Sequence, residues 1–212
     1  MYGLMQKDLC LLFQRSRALI VLIGVGILMG FTTDGSFVVG YLTMISAILS
    51  IGTISYDEFD NGYPFLLTLP ITRKTYVAGK YLFCLLGGLA GWVLSVLLYA
   101  VCAMAKGAVF TASDLVETVA FLPVFALMTA IMFPIQLKYG AEKSRLAVFA
   151  VGGFIYAVAF FVMRYLPDAA QLPAFLAAVS PLAVAAVLLL LSLASLAVSY
   201  LISLRIMESK EF

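Results

Sequence analysis

The chain has 212 residues, 64% of them hydrophobic and only 11% charged, and a mean hydropathy of +1.11. A soluble domain is about half apolar and about a quarter charged, so a bilayer rather than water must cover this surface. A net charge of +2, spread over the connections, excludes a nucleic-acid binder. At about 20 apolar residues per span, the length excludes a sizeable extramembrane domain.

The first element expected is an amphipathic helix before the first span. Tyr2, Met5, Leu9, Leu12 and Phe13 recur at helical spacing, with Gln6, Lys7, Gln14 and Arg17 off that stripe, the pattern of a helix lying in the membrane interface. A plain extension of the first span is the alternative. Lys7, Arg15 and Arg17 precede an apolar run, but no small-residue cleavage site follows it, so this span is expected to be retained. Stretches without charge then give six candidate spans, 18–33, 37–56, 81–105, 118–137, 146–163 and 175–204. Pro123 and Pro134 are expected to kink the fourth, and Ser180–Pro181 could open the last with an interfacial turn. Neither an internal repeat nor a low-complexity linker divides the chain, which reads as a single domain, 1–212.

Basic residues orient these spans. Lys7, Arg15, Arg17, Arg73, Lys74, Lys80, Lys138, Lys143, Arg145, Arg205 and Lys210 fall on one side, with only Lys106 and Arg164 on the other. By the positive-inside rule both termini are cytoplasmic. The expected fold is therefore an all-α, multi-pass integral membrane protein with six transmembrane helices.

Several chemistries lack their residues. Cys84 and Cys102 lie 18 residues apart in one apolar stretch, about 27 Å of helix, too far to pair. No C-x-x-C accompanies Cys10. With no histidine, metalloprotease motifs, imidazole haem ligation and Ser–His catalysis are absent, so no catalytic residue and no metal site is expected. No phosphate-binding G-x-x-x-x-G-K-[ST] loop occurs; Gly79-Lys80 lacks the upstream glycine. None of the 13 basic and 11 acidic side chains falls inside the spans as drawn, which counts against an ion-coupled carrier.

The connection between spans two and three is the informative one: YDEFDNGYPFLLTLPITRKTYVAGKYL, residues 56–82. Asp57, Glu58 and Asp60 crowd a helix C-terminus, where negative charge is unfavourable, so a basic partner is expected to offset them. Asn61-Gly62 is a turn signal, with Gly62 expected to supply a left-handed helix end. Pro64 suits the start of a short helix bearing Phe65, Leu66 and Leu67, and Pro70 stops it. Thr72 can cap a further helix carrying Arg73, Lys74 and Lys80 into the third span. The result is a short transverse cytoplasmic helix between two elbows. It could rest on lipid headgroups or dock a cytoplasmic partner.

At these residues the sequence resembles the type-2 ABC-transporter permeases of the short six-span kind. Tyr56, Asp57, Glu58, Asn61, Gly62, Leu67, Leu69, Pro70, Ile71, Thr72, Arg73, Val77, Gly79, Lys80 and Tyr81 match that family's pattern in register. The loop LKYGAEKSRL from Leu137 to Leu146 and the opening MQKDL around Lys7-Asp8-Leu9 add to the resemblance. Among such permeases the chain looks most like those of bacterial exporters for amphipathic peptides of the phenol-soluble-modulin type.

The resemblance implies a permease in a bacterial cytoplasmic membrane, paired with an identical or related copy and bound to two cytoplasmic ATPase subunits. ATP and magnesium would sit on those partners, with no cofactor on this chain. It implies that 57–73 is the coupling region; the coupling residues expected are Asp57, Glu58, Phe59, Asp60, Asn61, Gly62, Tyr63, Phe65, Leu66, Leu69, Pro70 and Arg73, with Lys74 adjoining. In that reading Tyr63, Phe65 and Leu66 fill an apolar groove on the ATPase, while Asp57, Glu58 and Asp60 pair with its basic residues. A membrane assembly or immunity factor using the same docking helix is the competing class.

Inside the membrane, Thr43, Ser46, Ser50 and Thr53 share one helix face, as do Ser192, Ser195, Ser199 and Ser203. Gly26-x-x-x-Gly30 and Gly87-x-x-x-Gly91 add small-residue motifs. Tight helix packing explains such patterns; the functional alternative is that Thr43, Ser46, Ser50 and Thr53 line a translocation path. Met128, Met132, Phe133, Phe149, Tyr156, Phe160 and Phe161 would suit a promiscuous apolar substrate, or simply core and lipid contact.

Overall fold

The computed structural model describes residues 2–14, 16–32, 35–58, 62–63, 68, 71–107, 111–165 and 181–210. Every regular element among them is an α-helix: α1 (Tyr2–Gln14), α2 (Ser16–Thr32), α3 (Gly35–Glu58), α4 (Arg73–Ala105), α5 (Ala112–Val119), α6 (Phe121–Tyr165) and α7 (Pro181–Ser209). Four stretches are long and apolar enough to cross a membrane: Phe37–Glu58, Arg73–Ala105, Asp114–Gly140 and Val187–Ser209. Helices α1 and α2, bent by 68° where they meet, make a fifth if counted as one span. Against the six expected, the described residues thus carry four or five. The stretch expected as the fifth span, 146–163, is helical within α6 but is not one of these.

Local sequence sets the helix ends. Thr72 caps α4 as its position suggests, its hydroxyl accepting from Thr75 N at 3.2 Å. At the other end Gly107, at φ 74°, turns the chain out of the helix. Thr111 and Asp114 form a capping box at the start of α5. In α6 the break falls at Gly140 (φ 80°, ψ 177°), not at Pro123 or Pro134, which keep helical backbone angles. A backbone of that shape is essentially restricted to glycine, whereas neighbouring groups in a membrane can satisfy what a proline frees.

The core lies where α3, α4, α6 and α7 meet, around Ile51, Ile54, Val77, Cys84, Phe133 and Leu137. Polar contacts tie the helices inside it. The Tyr81 hydroxyl bonds Ser199 and Ser203 of α7 at 2.6 and 2.9 Å, and Ser199 donates to the Ala130 carbonyl of α6. Gln136 of α6 donates to the Ile51 carbonyl and the Ser55 hydroxyl of α3. On α3, Ser46 and Ser50 lie so close to α4 that a Cβ on Gly91 or Gly87 would come within 2.0 or 2.2 Å of their hydroxyls. Thr43 is fully buried and Thr53 bonds Lys80. Packing within one chain therefore engages Ser46, Ser50, Thr53, Ser199 and Ser203 of the small-residue rows. The outer faces are apolar and open, with Ile20, Leu94, Leu146 and Leu190 all more than 60% exposed, as lipid contact requires.

Candidate functional site

The polar face of α1 lies against the ends of α3 and α4. Lys7 and Asp8 are successive residues of α1, Asp57 lies in the last turn of α3, and Lys80 lies in the early turns of α4. Lys80 Nζ is 2.7 Å from Asp8 Oδ1 and 2.8 Å from Asp57 Oδ2. Lys7 Nζ donates to Asp57 Oδ1 and stands 3.6 Å from Asp8 Oδ1. The Tyr76 hydroxyl donates to Asp57 Oδ2 at 2.9 Å, and Lys80 also donates to Thr53 Oγ1 at 3.2 Å. Asp8, Asp57 and Lys80 are each no more than 4% exposed.

Two acids and two bases make this cluster neutral: Asp57 is met by Lys7, Lys80 and Tyr76, and Asp8 by Lys80 with the Lys7 ammonium 3.6 Å away. That is the condition under which buried charge is tolerable, because desolvation costs several kcal/mol per ion and only close pairing offsets it. The cluster corrects two expectations. Charged side chains do lie inside the helices, since α3 and α4 run further than the spans drawn from hydropathy. And the basic partner that Asp57 requires comes from its own chain, so its carboxylate faces inward rather than toward a partner protein.

Beyond Asp57 the chain folds back on itself. A Cβ on Gly62 would stand 2.7 Å from the Asp57 carbonyl oxygen. Gly62 is therefore needed for close approach and not, as expected, for a left-handed conformation. Tyr63 is buried among this chain's own core residues, edge-on to the Tyr76 ring at 5.9 Å, with Lys210 Nζ 5.0 Å from its ring centroid. It was expected to fill a groove on a partner and instead fills one at home. Burial pushes its phenol above the ordinary range, so it stays neutral.

The remaining predicted site residues divide three ways. Arg73 donates to the Met207 and Glu208 carbonyls at 3.1 and 2.7 Å, satisfying the end of α7. Lys74 is exposed, 3.9 Å from Glu208, and Glu58 is exposed with its carboxylate beside Gly140. Phe59, Asp60, Asn61, Phe65, Leu66, Leu69 and Pro70, with the short helix expected across 64–70, lie outside the described residues.

Sequence reasoning missed the cluster as a unit. Its members were visible separately, in Lys7-Asp8 and Lys80 and in the acids crowding a helix C-terminus; the missing step was that the basic partners sit on α1 and α4. The segment 59–72 is thus bounded by two residues of the cluster, Asp57 before it and Lys80 after it.

The family model described as "ABC-2 family transporter protein" matches residues 3–208. No curated protein and no solved structure matches the chain.

Proposed function

The chain belongs to the ABC-2 family of transporter proteins, and from that membership we propose that it is the six-span permease subunit of an ATP-driven exporter. The permease works as a homodimer in a bacterial cytoplasmic membrane, both termini inside, with ATP and magnesium on a separate pair of ATPase subunits. Its substrate is an amphipathic or hydrophobic molecule, of which a phenol-soluble-modulin-like peptide is the favoured class.

The observation that supports this reading is the four-charge cluster. A segment meant to receive a push from a cytoplasmic motor must pass it to helices rather than flex in place. Residues 59–72 leave α3 at a clamped carboxylate and rejoin α4 at its capped start, eight residues before a clamped ammonium. Displacing the segment therefore moves α3 and α4 together, with α1 attached. Phe65 and Leu66 of the segment are its contact with the ATPase. The neutral cluster also leaves no spare carboxylate for a driving ion, which counts against an ion-coupled carrier.

The test is co-expression with the ATPase encoded beside it, followed by purification and ATP hydrolysis with and without amphipathic peptide. Stable association and peptide-stimulated hydrolysis are expected, and both are lost in Phe65→Asp/Leu66→Asp. Association without stimulation would remove the peptide from the proposal. Failure of any ATPase to bind would overturn it.

A further inference from the structure

Helix α1 is held to the bundle by its ionic side, and a groove opens beneath its apolar side. The groove encloses about 650 Å³, within the roughly 300–1,000 Å³ typical of ligand sites. Met5, Leu9 and Phe13 of α1, Leu49 of α3, and Leu86 and Leu94 of α4 form its walls, and among the described residues no charged one lines it. Its floor is the α3–α4 crossing, where Ser46 and Ser50 meet Gly91 and Gly87. No large side chain stands up from that floor, so the space persists although α1 is fixed in place by Lys7 and Asp8.

The dimensions identify the occupant. Along α4 the groove runs from Phe83 to Leu94, about 16 Å at 1.5 Å per residue. That is half of the roughly 30 Å hydrocarbon core, or the depth of one leaflet. The groove begins one turn beyond Lys80, at the end of the bundle where the basic residues gather, and Arg17, two residues before Leu19 of its lining, is exposed. An exposed cation close in sequence to the lining of an uncharged, leaflet-deep slot is complementary to a phosphate with an alkyl tail.

We infer that the groove under α1 is a binding site for one acyl chain of a bilayer phospholipid from the leaflet at the basic end, its phosphate held near Arg17. The site rests on the chain's lying in a bilayer and not on its transporting anything. Its occupant completes the packing between α1 and the α3–α4 pair.

The experiment uses the full-length permease with its ATPase in vesicles of phosphatidylethanolamine and phosphatidylglycerol, with a trace of phosphatidylglycerol carrying a mid-chain diazirine. After photolysis, peptides are mapped by mass spectrometry. Labelling of 5–13 and 83–94 should exceed that of the lipid-facing surface of α7, 187–198, by on the order of tenfold, the ratio expected for preferential binding of about 1.4 kcal/mol. Two variants fill the groove from α4, Ala90→Trp and Leu86→Trp. Either one that assembles should bring groove labelling down to the level of α7. Even labelling of both surfaces in the wild type, labelling that survives the filling variants, or cross-links joining two permease chains through α1 would each overturn the inference.

Discussion

Replacing Lys80 with Met tests the electrostatic account of the site most directly. In the native chain Lys80 faces Asp8 and Asp57 at 2.7 and 2.8 Å with 2% of its surface exposed. Its removal leaves two buried carboxylates and a single ammonium, Lys7, whose side chain is one-third exposed. Breaking a buried pair from one side costs about 3–5 kcal/mol, because the surviving charge remains buried and uncompensated. Lys80→Met should lose stability in that range. The double variant Asp8→Asn/Lys80→Met restores neutrality around the Lys7–Asp57 pair and should recover more than half of the loss. Thiol-reactive fluorescence on heating provides the assay, since Cys84 and Cys102 are buried while Cys10 is exposed; a Cys10→Ser background leaves only the buried thiols to report unfolding. A single variant within 1 kcal/mol of wild type, or a double variant whose loss is the sum of its singles, would refute the reasoning.

Gly62→Ala should destabilise by about 1–3 kcal/mol in the same assay, because the new methyl meets the backbone oxygen of Asp57 at 2.7 Å and a backbone carbonyl cannot swing aside. Gly140→Ala should cost about 1–3 kcal/mol from its φ of 80°, with the Glu58 carboxylate 2.9 Å from the added carbon; Gly140→Ala/Glu58→Ala should regain the steric part only. Tyr81→Phe removes hydrogen bonds to Ser199 and Ser203 and should cost about 1 kcal/mol without altering association with the ATPase. Reactivity should follow burial: a membrane-permeant maleimide should modify Cys10 in the folded protein and leave Cys84 and Cys102 unmodified.

Much of the bundle is legible because bilayer burial needs only apolar runs of sufficient length, and α3, α4, the α5–α6 stretch and α7 each contain one. The cap at Thr72 is legible because it is local. What hydropathy misjudges is where a span ends. Asp57 and Lys80 read as residues just outside the spans since charge normally marks the water boundary, yet Asp57 is paired with Lys7, 50 positions away, and Lys80 with Asp8, 72 positions away, and no local pattern encodes that pairing. Tyr63 is misread for a related reason. An aromatic residue in a polar connection looks like an exposed contact until the fold supplies Tyr76 and Lys210 around it. The break in α6 shows the converse: prolines are conspicuous in a sequence, but the chain bends at the glycine whose backbone can reach the angles required.

The neutral cluster also constrains the order in which the protein is built. Asp57 and Lys80 leave the ribosome on different helices, and a lone ionised residue within a membrane helix is expensive to insert. Lys7 and Asp8 are synthesised first, on a helix able to wait at the membrane surface. When α3 emerges, Asp57 already has a counter-ion waiting in Lys7, and Lys80 completes the set when α4 follows. Helix α1 thus carries the counter-ions of α3 and α4 ahead of both in the order of synthesis, and Lys7→Met should lower the efficiency with which α3 inserts.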